Sequence, residues 1–372
     1  MHKNMLRLIL SVLLLLTIFI GCTKSDVKPE TIKIGFIGPL TGDVSFLGDI
    51  DKSATEIAVE EINANGGVLD KRLRIIYEDG KCTGSGGLSA ANKLVNIDDV
   101  KILLVSCGQE VLTVSPVAEN KEVILFATYA THPDISKLGD FVFRNSYSDA
   151  DIAEIASNTI IQKYKRIGLI SEQTDYTKGL ADAFKAKFEE VGGEIVEESF
   201  ASGTTDFRGQ LLKLKDLDAI FINPSGLAQG ELILKQLGEL GYAKSLYGNY
   251  FGGSNQIQQL SESQGMIFFS DPSVAENLKK QAYFDKYEAK TGKLPDLTFP
   301  AAARYDAVHI LADAITFCKE VNSECVRDYL YDLKKYSGVL GTYGFDENGD
   351  LSGIAPSVSI IEDETASPYS VQ

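Results

Sequence analysis

The chain has 372 residues, 44% hydrophobic and 24% charged, a composition typical of a folded globular protein rather than a disordered one. Its formal net charge of −16 argues against nucleic acid and anionic lipid as partners. Roughly 350 residues follow the N-terminal leader, and a chain of that length is expected to form two domains.

The N-terminal segment has the pattern of an export signal. Basic residues precede a largely apolar stretch, 8–20, which is too short to span a membrane. Cys22 follows within "FIGC", which resembles the lipobox of bacterial lipoproteins; the alternative is a plain secretory signal with an incidental cysteine. We predict a lipoprotein signal peptide at 1–21, a lipidated Cys22 and a polar tether at 22–31. The protein would then be exported and held at the outer face of the cell membrane by its lipid anchor alone.

Apolar strand patterns alternate with helical periods from Thr31 onward. The predicted strands are "IKIGFIG", "LRIIYED", "VKILLVS", "VILFAT", "FVFRNS", "RIGLISE", "EIVEESF", "AIFINP", "SLYGNY" and "GMIFFS". This alternation predicts an α/β fold, with parallel sheets covered by helices on both faces.

Two helices show the helical period most clearly. The first has apolar residues at Ile50, Ala54, Ile57, Ala58 and Ile62. The second has them at Leu180, Phe184, Phe188 and Val191. A glycine pair follows each segment and is expected to end the helix.

Polar turns follow six of the strands. They are "GPLTGDVSFLGD", "SCGQE", "ATYATHP", "SEQTDYTKG", "NPSGLAQG" and "GNYFGG". In parallel sheets covered by helices, ligands bind outside the carboxyl ends of the strands. These turns therefore predict a binding cleft.

Four cysteines remain once Cys22 is set aside. Cys318 and Cys325 flank a short polar connection between helical patterns, and Cys82 and Cys107 follow neighbouring strand candidates. An exported protein can hold both pairs as disulfides. A zinc site is disfavoured because no CxxC spacing is present.

Six motifs stand out along the chain: "GFIGPLTG", "AVEEINANGGV", "SCGQE", "DYTKGLADAF", "AARYDAVHILADAI" and "GTYGFDENGDLSG". Together they resemble the type I periplasmic binding proteins of the branched-chain amino-acid, amide and urea uptake group. The resemblance implies two Rossmann-like lobes that close by a hinge around a small solute and a closed form recognised by the permease subunits of an ABC importer. It implies no enzyme activity and no cofactor.

The resemblance also implies where the chain passes between lobes. The crossings are expected near Asn145–Ser148, Phe269–Pro272 and Thr342–Phe345. The first lobe would comprise 32–145 and 273–341, and the second 146–272 and 342–372.

The first lobe would hold the polar end of an amino acid. Backbone N–H groups of Gly108 and Gln109, at a helix N-terminus, would bind its carboxylate, although the family often has Ser at the position of Gly108. Tyr129, Ala130 and Thr131 match the family segment that holds the amino-acid group.

The remaining positions would enclose the solute. Tyr176 matches the tyrosine that closes over the ligand, and Ser225 lies in the next turn of the second lobe. Asp175 is expected to cap the helix of Tyr176. Phe46 and Leu47, in the opening turn, would supply apolar walls.

Tyr250 departs from the family pattern, because branched-chain amino-acid binders have a carboxylate near this point. A buried ammonium without an acid is costly. Three explanations stay open: a shifted register, compensation by another acid such as Glu110, or a solute that is not an α-amino acid.

The alternative functions are a ligand sensor of the same fold, signalling to a partner protein, and an exported enzyme. The enzyme is disfavoured because neither a Ser-His-acid order nor a metal-ligand spacing is present.

Overall fold

The computed structural model describes residues 30–42, 44–274 and 276–370. The predicted signal peptide, Cys22 and the tether as far as residue 29 lie outside this part of the chain. None of the helices in the described residues is long and apolar enough to cross a membrane.

Strands and helices alternate through the described residues. The strands are β1 (Thr31–Gly38), β2 (Arg72–Asp79), β3 (Ile102–Val105), β4 (Ile124–Ala127), β5 (Val142–Arg144), β6 (Arg166–Glu172), β7 (Glu194–Phe200), β8 (Ala219–Asn223), β9 (Ser245–Gly248), β10 (Ile267–Ser270), β11 (Tyr336–Ser337), β12 (Thr342–Phe345), β13 (Leu351–Ser352), β14 (Ser357–Glu362) and β15 (Thr365–Pro368). The helices are α1 (Ser45–Ala64), α2 (Gly84–Asn96), α3 (Gly108–Lys121), α4 (Asp149–Ile160), α5 (Asp175–Glu190), α6 (Arg208–Leu214), α7 (Leu227–Glu239), α8 (Asn255–Gln258), α9 (Leu278–Thr291), α10 (Thr298–Cys318) and α11 (Ser323–Asp332).

The main strands form two sheets, which confirms the predicted α/β class. The first sheet has the order β2-β1-β3-β4-β5, and β1, β3, β4 and β5 pair in parallel. The second has the order β15-β14-β10-β9-β8-β6-β7, with parallel pairing from β10 through to β7. We call the elements around these sheets the first and second lobes.

The C-terminal segment returns to the second lobe. β14 pairs antiparallel with β10, with Ile267 opposite Ile360, and β15 pairs antiparallel with β14. The edge of the second sheet is therefore built from residues far apart in sequence.

Amphipathic spacing explains the two helices singled out above. All five predicted apolar positions of α1 are buried, and the helix ends before Gly66 and Gly67, both at positive φ. In α5, Leu180, Phe184 and Phe188 are buried. Val191 is 41% exposed, because the chain already leaves the helix there ahead of Gly192 in the left-handed region.

The expected third crossing occupies a different place. Thr342–Phe345 forms β12, which pairs with β11 and β13 in a separate three-stranded sheet. The ring of Phe345 packs on Phe126 and Phe143 of the first lobe, at centroid distances of 5.7 and 5.8 Å. The chain enters the second sheet only at β14.

Both cysteine pairs are bonded in the structure. Cys318, at the end of α10, is bonded to Cys325 of α11, with 5.9 Å between their Cα atoms. Cys82 and Cys107 are bonded with a Cα separation of 5.3 Å.

Candidate functional site

The carboxyl ends of the two main sheets face each other across a cleft of about 500 Å³. The first lobe lines it with Gln109, Leu112, His132, Pro133 and Asp134, and the second with Asp175, Lys178, Gly179, Asp182 and Ala183. At Gly179 the lobes are in close contact, since a Cβ built there would lie 3.0 Å from Cδ2 of His132.

The N-terminus of α3 lies at this cleft. Gly108 and Gln109 are its first residues, and the first N–H groups of a helix have no acceptor within the helix. They are available to an anion, which the helix dipole also favours.

Glu110 holds the turn in front of α3. Its two carboxylate oxygens accept from the N–H groups of Cys82 at 3.0 Å and Cys107 at 3.2 Å. Burial raises the pKa of Glu110 to about 7, partly offset by these bonds. With both oxygens bonded to the disulfide turn, Glu110 has a structural role, and the idea that it compensates for Tyr250 loses support.

The turn after β4 places Tyr129 and Ala130. Tyr129 has φ of 75° and is partly exposed, whereas Ala130 is buried. The Ala130 carbonyl accepts from Nη1 of Arg144 at 3.3 Å and Oγ of Ser146 at 3.1 Å. Arg144 is itself buried and pairs bidentately with Asp350, at 2.6 and 2.9 Å. The turn is therefore held from behind by an ion pair whose arginine is fully buried.

Thr131 is joined to an acid that the sequence analysis did not single out. Its hydroxyl donates to Oδ2 of Asp149 at 3.0 Å, and its carbonyl accepts from the Asp149 N–H at 2.7 Å. Asp149 is only 2% exposed, and burial raises its pKa to about 8.

Tyr176 and Tyr250 pack against each other on the second lobe, and neither is among the residues that line the cleft. Their rings lie 6.0 Å apart, centroid to centroid, in an edge-to-face arrangement. The Tyr250 hydroxyl donates to the carbonyl of Ser225 at 2.6 Å, and the Ser225 hydroxyl donates to Glu172 at 2.6 Å. Ser225 thus supports Tyr250 and presents no free hydroxyl proton to a solute.

The structure differs from the expectations for the cap of α5 and for the apolar walls of the site. Thr174 caps α5, accepting from the N–H of Thr177 at 3.3 Å, so the expectation for Asp175 is wrong. Phe46 is 49% exposed in the first turn of α1, and Leu47 beside it is partly buried.

Two further residues join the site from segments between the sheets. The Tyr147 hydroxyl donates to Oδ1 of Asp271 at 2.6 Å, across 124 residues of sequence. Burial and then the charge of Asp271 raise the pKa values of Tyr129, Tyr147 and Tyr250, the last to about 12. The charge of Asp271 therefore acts on tyrosines of both lobes. No local sequence pattern predicts the hydrogen bond between Tyr147 and Asp271. The stretch "SYSDAD" predicts only that Ser148 caps α4.

The site has the chemistry of binding rather than of bond making. It combines free helix N–H groups, a threonine, buried acids and aromatic walls. Within the described ranges no three His, Cys, Asp or Glu side chains are grouped so that they could hold a metal.

Comparison with known proteins gives a consistent result. The family model described as "Periplasmic binding protein" matches residues 31–355. The Leu/Ile/Val-binding protein homolog 3 of Brucella melitensis is 31% identical over 341 residues, 89% of this chain and 91% of that protein. The leucine-, isoleucine-, valine-, threonine- and alanine-binding protein of Pseudomonas aeruginosa is 29% identical over 339 residues, 89% of this chain and 90% of that protein.

A solved structure agrees in fold. The branched-chain amino acid transporter substrate-binding protein of Streptococcus pneumoniae, in complex with isoleucine, superposes with a TM-score of 0.76 at 29% identity, covering 92% of this chain and 99% of that one. Two lobes around a cleft, a family match over nearly all described residues and these relatives lead to one conclusion: the chain belongs to the periplasmic binding protein family and is a solute-binding protein, not an enzyme.

Proposed function

We propose that the protein is the extracytoplasmic solute-binding component of an ABC importer and that it binds a branched-chain amino acid or a related small polar solute by hinge closure. The observation that carries this proposal is that the two lobes present complementary groups at the ends that face each other. The first lobe offers the N–H groups of Gly108 and Gln109, and the second offers the ring pair Tyr176–Tyr250. A carboxylate suits the former and an apolar side chain the latter.

The lobe contact at Gly179 supports closure as the means of capture. In the closed form both surfaces touch the solute, so the solute shifts the equilibrium toward closure by its contacts to each lobe. The closed form would be the one that the permease subunits recognise.

The test is thermal unfolding of the ligand-stripped, leader-free protein with leucine, isoleucine, valine, amides, urea and aromatic acids. A solute at about 100 times its Kd adds about 2.7 kcal/mol and raises Tm by a few degrees. Tyr176→Ala should remove most of this shift. Tyr329→Ala is the control, since it removes a ring from the pair that Tyr329 forms with Phe317 at 5.2 Å, outside the residues that form the cleft. Equal shifts in the two variants, or no shift with any solute of the panel, would contradict the proposal.

The membrane anchor is a second part of the proposal and rests on the leader pattern around Cys22. Expression of the full chain should give a membrane-bound mature protein whose N-terminal peptide carries lipid mass. Cys22→Ala should release it from the membrane fraction. If that variant stays membrane-bound to the same extent, anchoring through Cys22 is wrong.

A further inference from the structure

The cleft lacks an acid at the place where the family resemblance expects one. Tyr250 occupies that position, and its hydroxyl proton is already donated to the Ser225 carbonyl at 2.6 Å. Both oxygens of Glu110 are bonded to the N–H groups of Cys82 and Cys107. An amino-acid solute would bring an ammonium group, and burying it without a carboxylate is unfavourable.

Asp271 lies at the same edge of the second sheet as Tyr250. It directly follows β10, which pairs in parallel with β9, and Tyr250 follows the end of β9. The carboxyl ends of adjacent parallel strands meet, so both residues lie at the end of the second sheet that faces the first lobe, next to the residues that line the 500 Å³ cleft and not among them. The charge of Asp271 raises the pKa of Tyr129 in the first lobe as well as that of Tyr250 in the second.

One oxygen of Asp271 is fixed and the other is available. Tyr147 donates to Oδ1 at 2.6 Å. In the described part of the chain, no donor is bonded to Oδ2 and no Lys or Arg nitrogen lies within 4.0 Å of the carboxylate. Asp271 also remains partly exposed. Asp149, by contrast, is 2% exposed and bonded to Thr131, and Glu172 is 4% exposed with its two oxygens accepting from Ser202 and Ser225.

We propose that the Asp271 carboxylate binds the ammonium group of the solute and takes over the role that Tyr250 cannot fill. Tyr147 is its positioning residue, and the neighbouring tyrosine rings add cation–π attraction. The solute class is therefore one with a primary ammonium. This inference rests on the proposed function, whose amino-acid solute supplies that group.

The test compares wild type with Asp271→Asn by calorimetric titration with three probes. Leucine carries both charges, 4-methylpentanoate only the carboxylate, and 3-methylbutylamine only the ammonium. Asparagine keeps the shape and can still accept from Tyr147, so the fold and the link between the two segments are preserved. Asp218→Asn is the matched control, because Asp218 lies in the same lobe, is 73% exposed and pairs only with Lys244 at the surface.

We expect Asp271→Asn to weaken leucine binding by about 10- to 100-fold, as is typical for loss of a hydrogen bond to a charged group. Binding of 4-methylpentanoate should be unchanged, and Asp218→Asn should bind all three probes like wild type. Equal losses for leucine and 4-methylpentanoate, or no loss for either, would overturn the inference.

Binding of 3-methylbutylamine distinguishes a failure of this inference from a failure of the proposed function. If wild type binds none of leucine, isoleucine and valine, the proposed function fails in its branched-chain amino-acid form. The inference then depends on 3-methylbutylamine: weaker binding in Asp271→Asn supports it, and the same or no binding in both proteins refutes it.

Tyr147→Phe tests the positioning role. Burial raises the pKa of Asp271 to about 6, and the hydrogen bond from Tyr147 opposes that rise. Without the donor, the pH at which leucine affinity falls to half should move upward. A purely structural role would lower affinity at every pH and leave that midpoint unchanged, which would refute positioning.

Discussion

Valine at position 179 should hold the lobes apart. A Cβ at Gly179 would lie 3.0 Å from Cδ2 and 3.1 Å from Nε2 of His132, closer than an ordinary contact of about 3.5 Å. The methyl groups of valine add to this conflict, and a β-branched side chain in a helix has little freedom to rotate away. Overpacking of this kind costs about 1–3 kcal/mol.

The cost applies only to the closed form, because His132 and Gly179 belong to different lobes. The fraction of closed protein, and with it the affinity for leucine or isoleucine, should therefore fall by about 5- to 150-fold. The unliganded protein should unfold at nearly the wild-type temperature. Gly209→Val is the matched control: it is also a glycine of a second-lobe helix, and a Cβ there would meet nothing within 4 Å.

Titration calorimetry gives the two affinities, and thermal unfolding without solute gives the stabilities. If Gly179→Val and Gly209→Val bind the solute equally well, the contact between His132 and Gly179 is not part of the bound state. The closure argument would then be wrong.

Three further outcomes are expected. Gly108→Ser should bind a carboxylate solute about 2- to 10-fold more tightly, because the hydroxyl adds a donor beside the free N–H groups. A Cβ fits there, since the nearest atom would be 3.6 Å away. Unchanged or weaker binding in titration calorimetry would contradict this. Arg144→Met leaves Asp350 without its ion-pair partner and should lower the free energy of unfolding in urea by about 3 kcal/mol. Arg166→Met should lower it by about 1 kcal/mol or less, because Arg166 is 57% exposed in its pair with Glu194. Similar losses in the two variants would show that the burial of Arg144 does not matter. The folded carboxyl of Asp149 has a pKa of about 8 against 3.8 for the free group, so it keeps a proton that the unfolded chain releases, and stability should fall as pH rises between these values. Asp149→Asn should therefore resist urea better than wild type at pH 8 and equally at pH 4, and a constant difference across this range would refute the assignment.

Local patterns predicted most of the secondary structure. The apolar face of α1 and the strand candidates follow from side-chain period and strand length, and they are found where expected. The predictions differ from the structure where contacts between residues far apart in sequence determine the position of a segment. Phe345 belongs to the first lobe because its ring fits against Phe126 and Phe143, and nothing within "GTYGF" encodes that contact.

The candidate site divides in the same way. Gly108 and Tyr176 could be predicted because both lie at the start of a helix that directly follows a strand. The hydrogen bonds from Ser225 to Glu172 and from Tyr147 to Asp271 could not be predicted, because each joins strand ends that come together only in the folded protein. Whether the ten predicted ligand-binding residues all contact solute stays a prediction.

The return of β14 to β10 has a consequence for biogenesis. The chain is synthesised from its N-terminus, so β10 is made before β14, the strand with which it pairs through Ile267 and Ile360. This edge of the second sheet is complete only when β14 has been made. Until then β10 presents unpaired N–H and C=O groups, a ready template for aggregation. Pairing across such a long sequence separation is also slow, because loop closure precedes any gain in contacts. Productive folding is thus a late event, and a nascent chain shortened before β14 should depend on chaperones to remain soluble.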